Sequence, residues 1–271
     1  MEKGVFKISD VETKEVKRIS TQIPYFDEIY GGGLPRGRVS IWSGASGVGK
    51  SRTTIYISKL INRQGGKVMV FQNEVSPSEF KQWVQGQVDE DRYLVSNYDT
   101  IEEQVKAIRK YKPDLVITDS LNMIQGFSSS VQIRNIMDGL KDVIREVDAH
   151  AILIGHLNGE GETKGNTDIP HLVDVVCHLK PHEDWKDEQG FKHKGIPGVF
   201  ILSISKNRYG KSGGWISFRH NSQGLEEGCS SASLDANKLT SAPIAPPEQG
   251  GPGFFGKVFT EICRYIEGKT G

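Results

Sequence analysis

Eight consecutive residues, Gly44-Ala45-Ser46-Gly47-Val48-Gly49-Lys50-Ser51, fit the pattern G-x-x-x-x-G-K-[ST] at every fixed position. Glycines at 44, 47 and 49 let the backbone curl with its N–H groups turned inward around a polyphosphate, and a following helix adds its free N-terminal amides and dipole. Lys50 is then placed to reach the β- and γ-phosphates, and the Ser51 hydroxyl to ligate Mg²⁺. These eight residues, with Arg52 directly after them, are the expected phosphate-binding set. Asp119 closes an apolar run after Pro113, where a phosphate-loop enzyme places its second magnesium carboxylate. Hydrolysis also needs a water aimed at the γ-phosphate and a group to orient or deprotonate it, and Glu74 is the candidate. His156 is a candidate γ-phosphate sensor. Lys206 and Arg208, at i and i+2 on an extended segment, point the same way and can approach one anion together. Were subunits to form a ring, these two would reach a neighbour's γ-phosphate, a task that suits the fixed guanidinium of Arg208.

The elements that must position these residues are legible from periodicity. Val39 to Ser43 reads as a buried strand, and Arg52 to Asn62 as a helix with no breaker, so the glycine loop has strand before it and helix after it. A short helix through Phe26, Ile29 and Tyr30 stops at Gly31-Gly32-Gly33, and Pro35-Arg36-Gly37 turns the chain into the loop strand. Lys67 to Asn73 is a strand delivering Glu74. Ile101, Val105 and Ile108 have helical spacing, Leu115 to Asp119 is a strand, and Ile133 to Val147 is the clearest amphipathic helix. Ala151 to Gly155 is a strand ending at His156, with further strands expected at 173 to 179, 199 to 205 and 215 to 218. Strands alternating with helices imply an α/β fold with a mostly parallel sheet, and ligands of such sheets sit outside the carboxyl ends of the strands. That rule gathers the loop, Glu74, Asp119 and His156 on one edge.

The 271 residues divide into an N-terminal arm at 1–20, with Val5, Phe6 and Ile8 as a possible short strand, a core at 21–228, a Ser/Ala/Pro/Gly-rich linker at 229–253 and a tail at 254–271. In the tail Val258, Ile262, Tyr265 and Ile266 can line one face of a short helix, a docking peptide for a partner such as a replication or recombination protein or for a neighbouring subunit. Equal numbers of basic and acidic residues, 34 each, argue against indiscriminate polyanion binding. The stretch 191 to 220 holds Lys192, Lys194, Lys206, Arg208, Lys211 and Arg219 with no acid, so any nucleic-acid surface is local. Cys177, Cys229 and Cys263 are too far apart for a zinc site or a disulfide framework. No apolar run approaches the ~20 residues of a membrane helix and no signal-peptide core is present, which points to the cytoplasm, with no membrane partner.

With these residues in hand, the chain resembles the RecA-like ATPases, and within them the core of the RadA/Sms family of bacterial DNA repair proteins. The resemblance rests on Phe26 to Gly37, Gly44 to Ser51, Asp114 to Ser120, Ile154-Gly155-His156 with His171-Leu172-Val173-Asp174, and Lys206-Asn207-Arg208-Tyr209-Gly210, which looks like the family's Lys-Asn-Arg-Phe-Gly motif with Tyr for Phe. It covers roughly residues 21 to 228 and implies a RecA-like core that uses ATP and Mg²⁺. It implies further a ring-forming, hexameric motor on single-stranded or branched DNA that acts in recombination and branch migration. Glu74 matches the family's catalytic glutamate, and Lys206 and Arg208 match residues that couple neighbouring subunits. By the same analogy DNA loops span about 125 to 134 and 158 to 170, with Arg134 and Lys164 as phosphate contacts backed by the amides of Gly159, Gly161 and Gly165. The family's four-cysteine zinc module and Lon-like domain have no counterpart in the sequence. A stripped core of this kind is also similar to the helicase domain of phage replicative proteins of the DnaB and T7 type, whose flexible tail recruits replication proteins; a KaiC-like regulatory switch is the third reading. The setting these imply is the bacterial cytosol or nucleoid, or the host cytosol for a phage protein.

Overall fold

The loop strand lies in the middle of a nine-stranded sheet, and the chain reaches it through three short elements. In the computed structural model, which describes residues 5–10, 15–127, 130–156, 169–186, 192–221 and 224–231, β1 (Arg18–Ile19) pairs antiparallel with β2 (Leu34–Pro35). The excursion between them is α1 (Pro24–Tyr30). Pro24 opens α1 with a preset φ at a position whose N–H has no helical partner, and Gly31 closes it in the left-handed region while Gly32 and Gly33 return their amides to Asp27 O.

Strand and helix then alternate: β3 (Arg38–Gly44), α2 (Lys50–Arg63), β4 (Val68–Gln72), α3 (Pro77–Val84), β5 (Tyr93–Ser96), α4 (Ile101–Tyr111), β6 (Leu115–Asp119), α5 (Ser130–Val147), β7 (His150–His156), α6 (Ile169–Leu172) and β8 (Val175–Pro181). After a small ribbon of β9 (Trp185–Lys186) and β10 (Lys192–His193) come β11 (Val199–Asn207), β12 (Trp215–Asn221) and β13 (Gly224–Ser230). The sheet order is β13-β12-β11-β8-β3-β7-β6-β4-β5. From β8 to β5 all pairs are parallel, whereas β11, β12 and β13 add antiparallel beyond β8. This is the α/β, mostly parallel architecture expected of a RecA-like core.

Parallel strands covered on both faces are apolar at successive positions, and β6 is the plain case. Leu115 and Ile117 join the cluster under α1, α2 and α3, while Val116 joins the one under α4 and α5. α5 contributes Ile133, Ile136, Met137, Leu140, Val143 and Ile144, all buried. At ~1.5–3 kcal/mol for each side chain removed from water, that stripe is a main brace of the sheet. Ser76 and Glu79 form a reciprocal capping box at α3, and Thr100 caps α4, so each helix starts where its strand has delivered a polar residue.

Three local expectations change. Val5, Phe6 and Ile8 form no strand: Ile8–Asp10 is a 3-10 turn, all three side chains are exposed, and the arm's pairing is made instead by Arg18–Ile19 against the β2 edge. Ser130 to Arg134, expected in a loop, already wind as the first turns of α5 because Ile133 is drawn into the core. The last strand runs to Ser230, past the expected core end at 228. The tail and nearly all of the expected linker, from residue 232 on, lie outside the described residues, as do Gly159, Gly161, Lys164 and Gly165. Among the described residues no helix is long and apolar enough to cross a membrane.

Candidate nucleotide site

The register of the parallel strands brings the expected residues to one edge. Gln72 of β4 lies beside Asp119 of β6, Asp119 beside Ile154 of β7, and Gly44 of β3 beside the backbone of His156. A cleft of about 680 Å³ opens there, lined by Ser46, Gly47, Gly49, Lys50, Ser51, Arg52, Glu74, Asp119 and Ile154.

The loop is shaped by close approaches. A Cβ on Gly44 would run into Leu179 O of β8, and Gly49 takes φ +95° directly before α2, with the His220 ring against it. Ala45, Ser46 and Gly47 are exposed at the crest, whereas Lys50 is buried. Its ammonium donates to Gly44 O and Ala45 O, both at 2.9 Å. Burial lowers the Lys50 pKa, and the charges of Asp119 and Glu74 act in the opposite direction.

Asp119 is buried, which raises its pKa; the Ser51 hydroxyl, Gln72 and Lys50 pull it back, and Glu74 pushes it further up. Ser51, in the first turn of α2, and Asp119, at the end of β6, both line the cleft, and their hard oxygens are of the kind that suits Mg²⁺. Gln72 links the Asp119 carboxylate to the backbone of Glu74: its Nε2 donates to Asp119 Oδ2 at 3.3 Å, and its Oε1 accepts from Glu74 N at 2.8 Å. The Glu74 carboxylate is exposed to the cleft and accepts from Ser120 Oγ at 3.4 Å. The Asp119–Ser120 peptide is cis.

The far wall carries residues that no motif announces: Tyr56, Lys59, Trp83, Gln87, His220, Asn221 and Gly224. Thr53 Oγ1 donates to Gly49 O at 2.9 Å and lies 3.0 Å from His220 Nε2, so Nε2 carries the ring proton and donates to the threonine. Burial, with Arg52 nearby, takes His220 down to about 4 and keeps it neutral at pH 7. Arg52 Nη2 reaches Asn221 O at 2.8 Å, and Tyr56 packs on Gly224, where no side chain would fit. The β12–β13 turn is therefore clamped onto the exposed side of α2. Trp83 stays 42% exposed at the rim, and Lys59 donates to its carbonyl and to Gln87 Oε1.

Lys206 and Arg208 are not in this cleft. β11 runs antiparallel to β8, so Asn207 lies beside Val175, which lies beside Ser40, four residues or roughly 13 Å of strand before Gly44. As expected of i and i+2, the two side chains go to one place. Lys206 Nζ donates to Pro170 O at 2.7 Å and Val173 O at 2.8 Å, and Arg208 reaches His171 O at 3.3 Å and Asp174 Oδ1 at 3.6 Å. Arg208 is nevertheless about half exposed. Tyr209 lies under the Arg38 guanidinium at 4.3 Å, and its carbonyl accepts from Arg18. His178 joins the two ends of this arrangement, since its Nδ1 is 2.8 Å from Ser43 Oγ, next to the loop, and its Nε2 is 2.9 Å from Ser205 Oγ, next to Lys206. Arg134 is exposed on the first turns of α5, outside the cleft.

A family model described as an AAA domain matches residues 6–162, more than half of the chain and all four of the loop, Glu74, Asp119 and His156 positions. The chain belongs to the AAA domain family. Its curated relatives include the DNA repair protein RadA of Aquifex aeolicus (strain VF5), 26% identical over 230 residues, covering 82% of this chain and 49% of the relative. The same-named protein of Streptococcus pneumoniae (strain ATCC BAA-255 / R6) is 27% identical over 230 residues, covering 82% and 51%. The chain spans about half the length of these relatives. Among solved structures, the flagellar accessory protein FlaH of Methanocaldococcus jannaschii superimposes with a TM-score of 0.59 at 16% identity, covering 79% of this chain and 99% of that one, a likeness of fold. This AAA-domain chain is thus a RecA-like phosphate-loop ATPase related to RadA.

In that family setting the residues missed from sequence fall into two groups. Gln72 carries a readable signal, a polar residue at the buried end of an apolar strand. His220, Asn221 and Gly224 carry none, because their relevance comes from the antiparallel addition of β12 and β13 beside α2.

Proposed function

We propose that this AAA-domain chain is a DNA-stimulated ATPase, a ring-shaped motor on single-stranded or branched DNA that serves recombination or repair. The RadA relatives support the repair setting. The observation that carries the ring reading is the placement of Arg208: half exposed, beside the start of β3 and outside its own subunit's cleft. A guanidinium there serves a nucleotide only if the nucleotide belongs to another copy.

The triphosphate lies along Ser46 to Ser51, with the base toward the wall made by Tyr56, Trp83 and the β12–β13 turn. Lys50, drawn off its loop carbonyls, neutralises the β- and γ-phosphate oxygens. Ser51 and Asp119 would hold Mg²⁺; among the described residues no third acidic or imidazole ligand joins them, so phosphate and water complete its shell, as this ion prefers. When bound, the ion supplies charge neutralisation at the β- and γ-oxygens. Glu74, kept in place through Gln72 and Ser120, orients the attacking water and takes its proton as the bond to the β–γ bridging oxygen breaks. His156 reports the γ-phosphate to the segment that follows it. Lys206 and Arg208 of the next copy complete the site, and Arg134, with Lys164, contacts DNA phosphates.

The test is complementation between two inactive variants. Lys50→Ala has a spoiled loop and an intact Arg208; Arg208→Ala has the converse. In a ring, mixing them creates boundaries that pair an intact loop with an intact arginine, so ATP turnover returns to a substantial fraction of wild type. Mixtures as inactive as their components would remove the trans role. Turnover that ignores single-stranded DNA, with no DNA binding even at low salt, would favour the regulatory-switch reading.

A further inference from the structure

Asp174 stands between α6 and β8, 1% exposed, and the expected machinery gives it no task. A buried carboxylate has to be paired or hydrogen-bonded on both oxygens. Oδ2 accepts from Val39 N at 3.1 Å, near the start of the loop strand, and the Asp174 backbone pairs with Val39 as well, N to O at 2.9 Å. Oδ1 accepts no hydrogen bond among the described residues; what faces it is the Arg208 guanidinium, with Nη1 at 3.6 Å. The Arg208 amide donates to Asp174 O at 3.2 Å. Arg208 is therefore held at its backbone by Asp174 and at its head by the Asp174 carboxylate together with His171 O, and Asp174 is itself fastened to β3.

Lys206 differs. Its ammonium is spent on the carbonyls of Pro170 and Val173, at the end of α6, a C-terminal capping arrangement that leaves Arg208 as the cation with an exposed face. An arginine side chain is long and rotamer-rich, and a fork that must meet a phosphate in one orientation gains from being set in advance.

We propose that Asp174 is the positioning residue for Arg208: it holds the guanidinium in the one orientation from which it meets a neighbouring copy's γ-phosphate. The proposal rests on the trans reading of Arg208. It distinguishes a charge that acts through Arg208 from one that merely stabilises the α6–β8 turn.

The experiment is a double-mutant cycle on the full chain, with Asp174→Asn, Arg208→Ala and the two combined. Asparagine keeps an acceptor for Val39 N and removes the charge that faces Arg208. Measured are kcat and KM for ATP with single-stranded DNA present, and the Kd of a fluorescent ATP analogue. Asp174→Asn is expected to lower kcat by about tenfold or more, part of the ~10³ that an arginine finger supplies, with the analogue Kd within about twofold of wild type. On the Arg208→Ala background it is expected to lower kcat no further. An equal loss on both backgrounds would make Asp174 a structural residue and overturn the proposal, as would a silent Asp174→Asn beside an impaired Arg208→Ala. A silent Arg208→Ala would remove the trans reading itself, and the proposal with it. If Asp174→Asn does not fold, Arg208→Lys takes its place: a lysine still pairs with Asp174 but offers no fork, so kcat is expected near that of Arg208→Ala. A kcat near wild type would overturn the proposal.

Discussion

Lys50 is pulled in two directions, burial disfavouring its charge while Asp119 and Glu74 favour it. Replacing it with alanine leaves Asp119 without that cation and removes the group that answers the triphosphate. Lys50→Ala is accordingly expected to lower ATP turnover by at least ~10²-fold, and an undiminished steady-state rate would contradict the assignment of the site. Glu74 is a separate case because its carboxylate is exposed to the cleft and rests against Ser120 at the end of the neighbouring strand. Glu74→Gln is expected to bind ATP as wild type does and hydrolyse it ~10²–10⁴-fold more slowly, as loss of a general base does. Weak binding with an unchanged maximal rate in single-turnover measurements would point to another base. These two residues, like Ser51 and Asp119, were legible because a strand end and a glycine loop leave fixed marks in sequence. Tyr56 and His220 were not: each is an ordinary residue until the β12–β13 turn is laid against α2.

At the scale of elements, the strands that could be read are those with both faces covered. β3, β4, β6 and β7 are buried nearly throughout on an apolar centre, and α5 carries a clean buried stripe. β5, at one edge, has Tyr93 as its one buried residue, and β13, at the other, spends two positions on Glu226 and Glu227. Glu227 has a use that a pattern cannot show, since its carboxylate accepts from Tyr25 N and Phe26 N at the start of α1, which has no side-chain cap of its own. Leu140, fully buried between α5 and the sheet, is expected to cost about 2–5 kcal/mol on replacement by alanine, read from denaturant unfolding. His150, at the start of β7, is also fully buried, between Ser40 Oγ and Pro35 O, and burial takes it down to about 4. The unfolded chain takes up the proton near pH 6.5 and the folded chain only near 4, so stability is complete above about 6.5 and is lost as the pH falls toward 4. The loss from this one ring amounts to about 3 kcal/mol at most. Thermal melts of His150→Gln are expected to show a shallower decline over that interval than wild type; an unchanged slope would mean that other groups set it.

At the scale of the whole molecule, the sheet separates two kinds of chemistry. The candidate phosphate and metal ligands stand at the carboxyl ends of the parallel strands, while Arg208 stands beside the opposite end of β3, with Asp174 and His178 along the β8 line that joins the two. On the trans reading proposed for Arg208, such a chain would carry half a site at each end, which is the logic of a closed ring in which each boundary makes one whole site. The chain spans about half the length of the relatives it matches, so what the rest of their length does is no guide to this chain. The most direct test of the central claim is steady-state ATP hydrolysis with and without single-stranded DNA, at low and moderate salt, beside Arg208→Ala. The account expects strong stimulation that weakens as salt rises, because phosphate contacts release counterions, and that is absent in the variant. Hydrolysis unchanged by DNA at either salt concentration, or equally stimulated in Arg208→Ala, would contradict it.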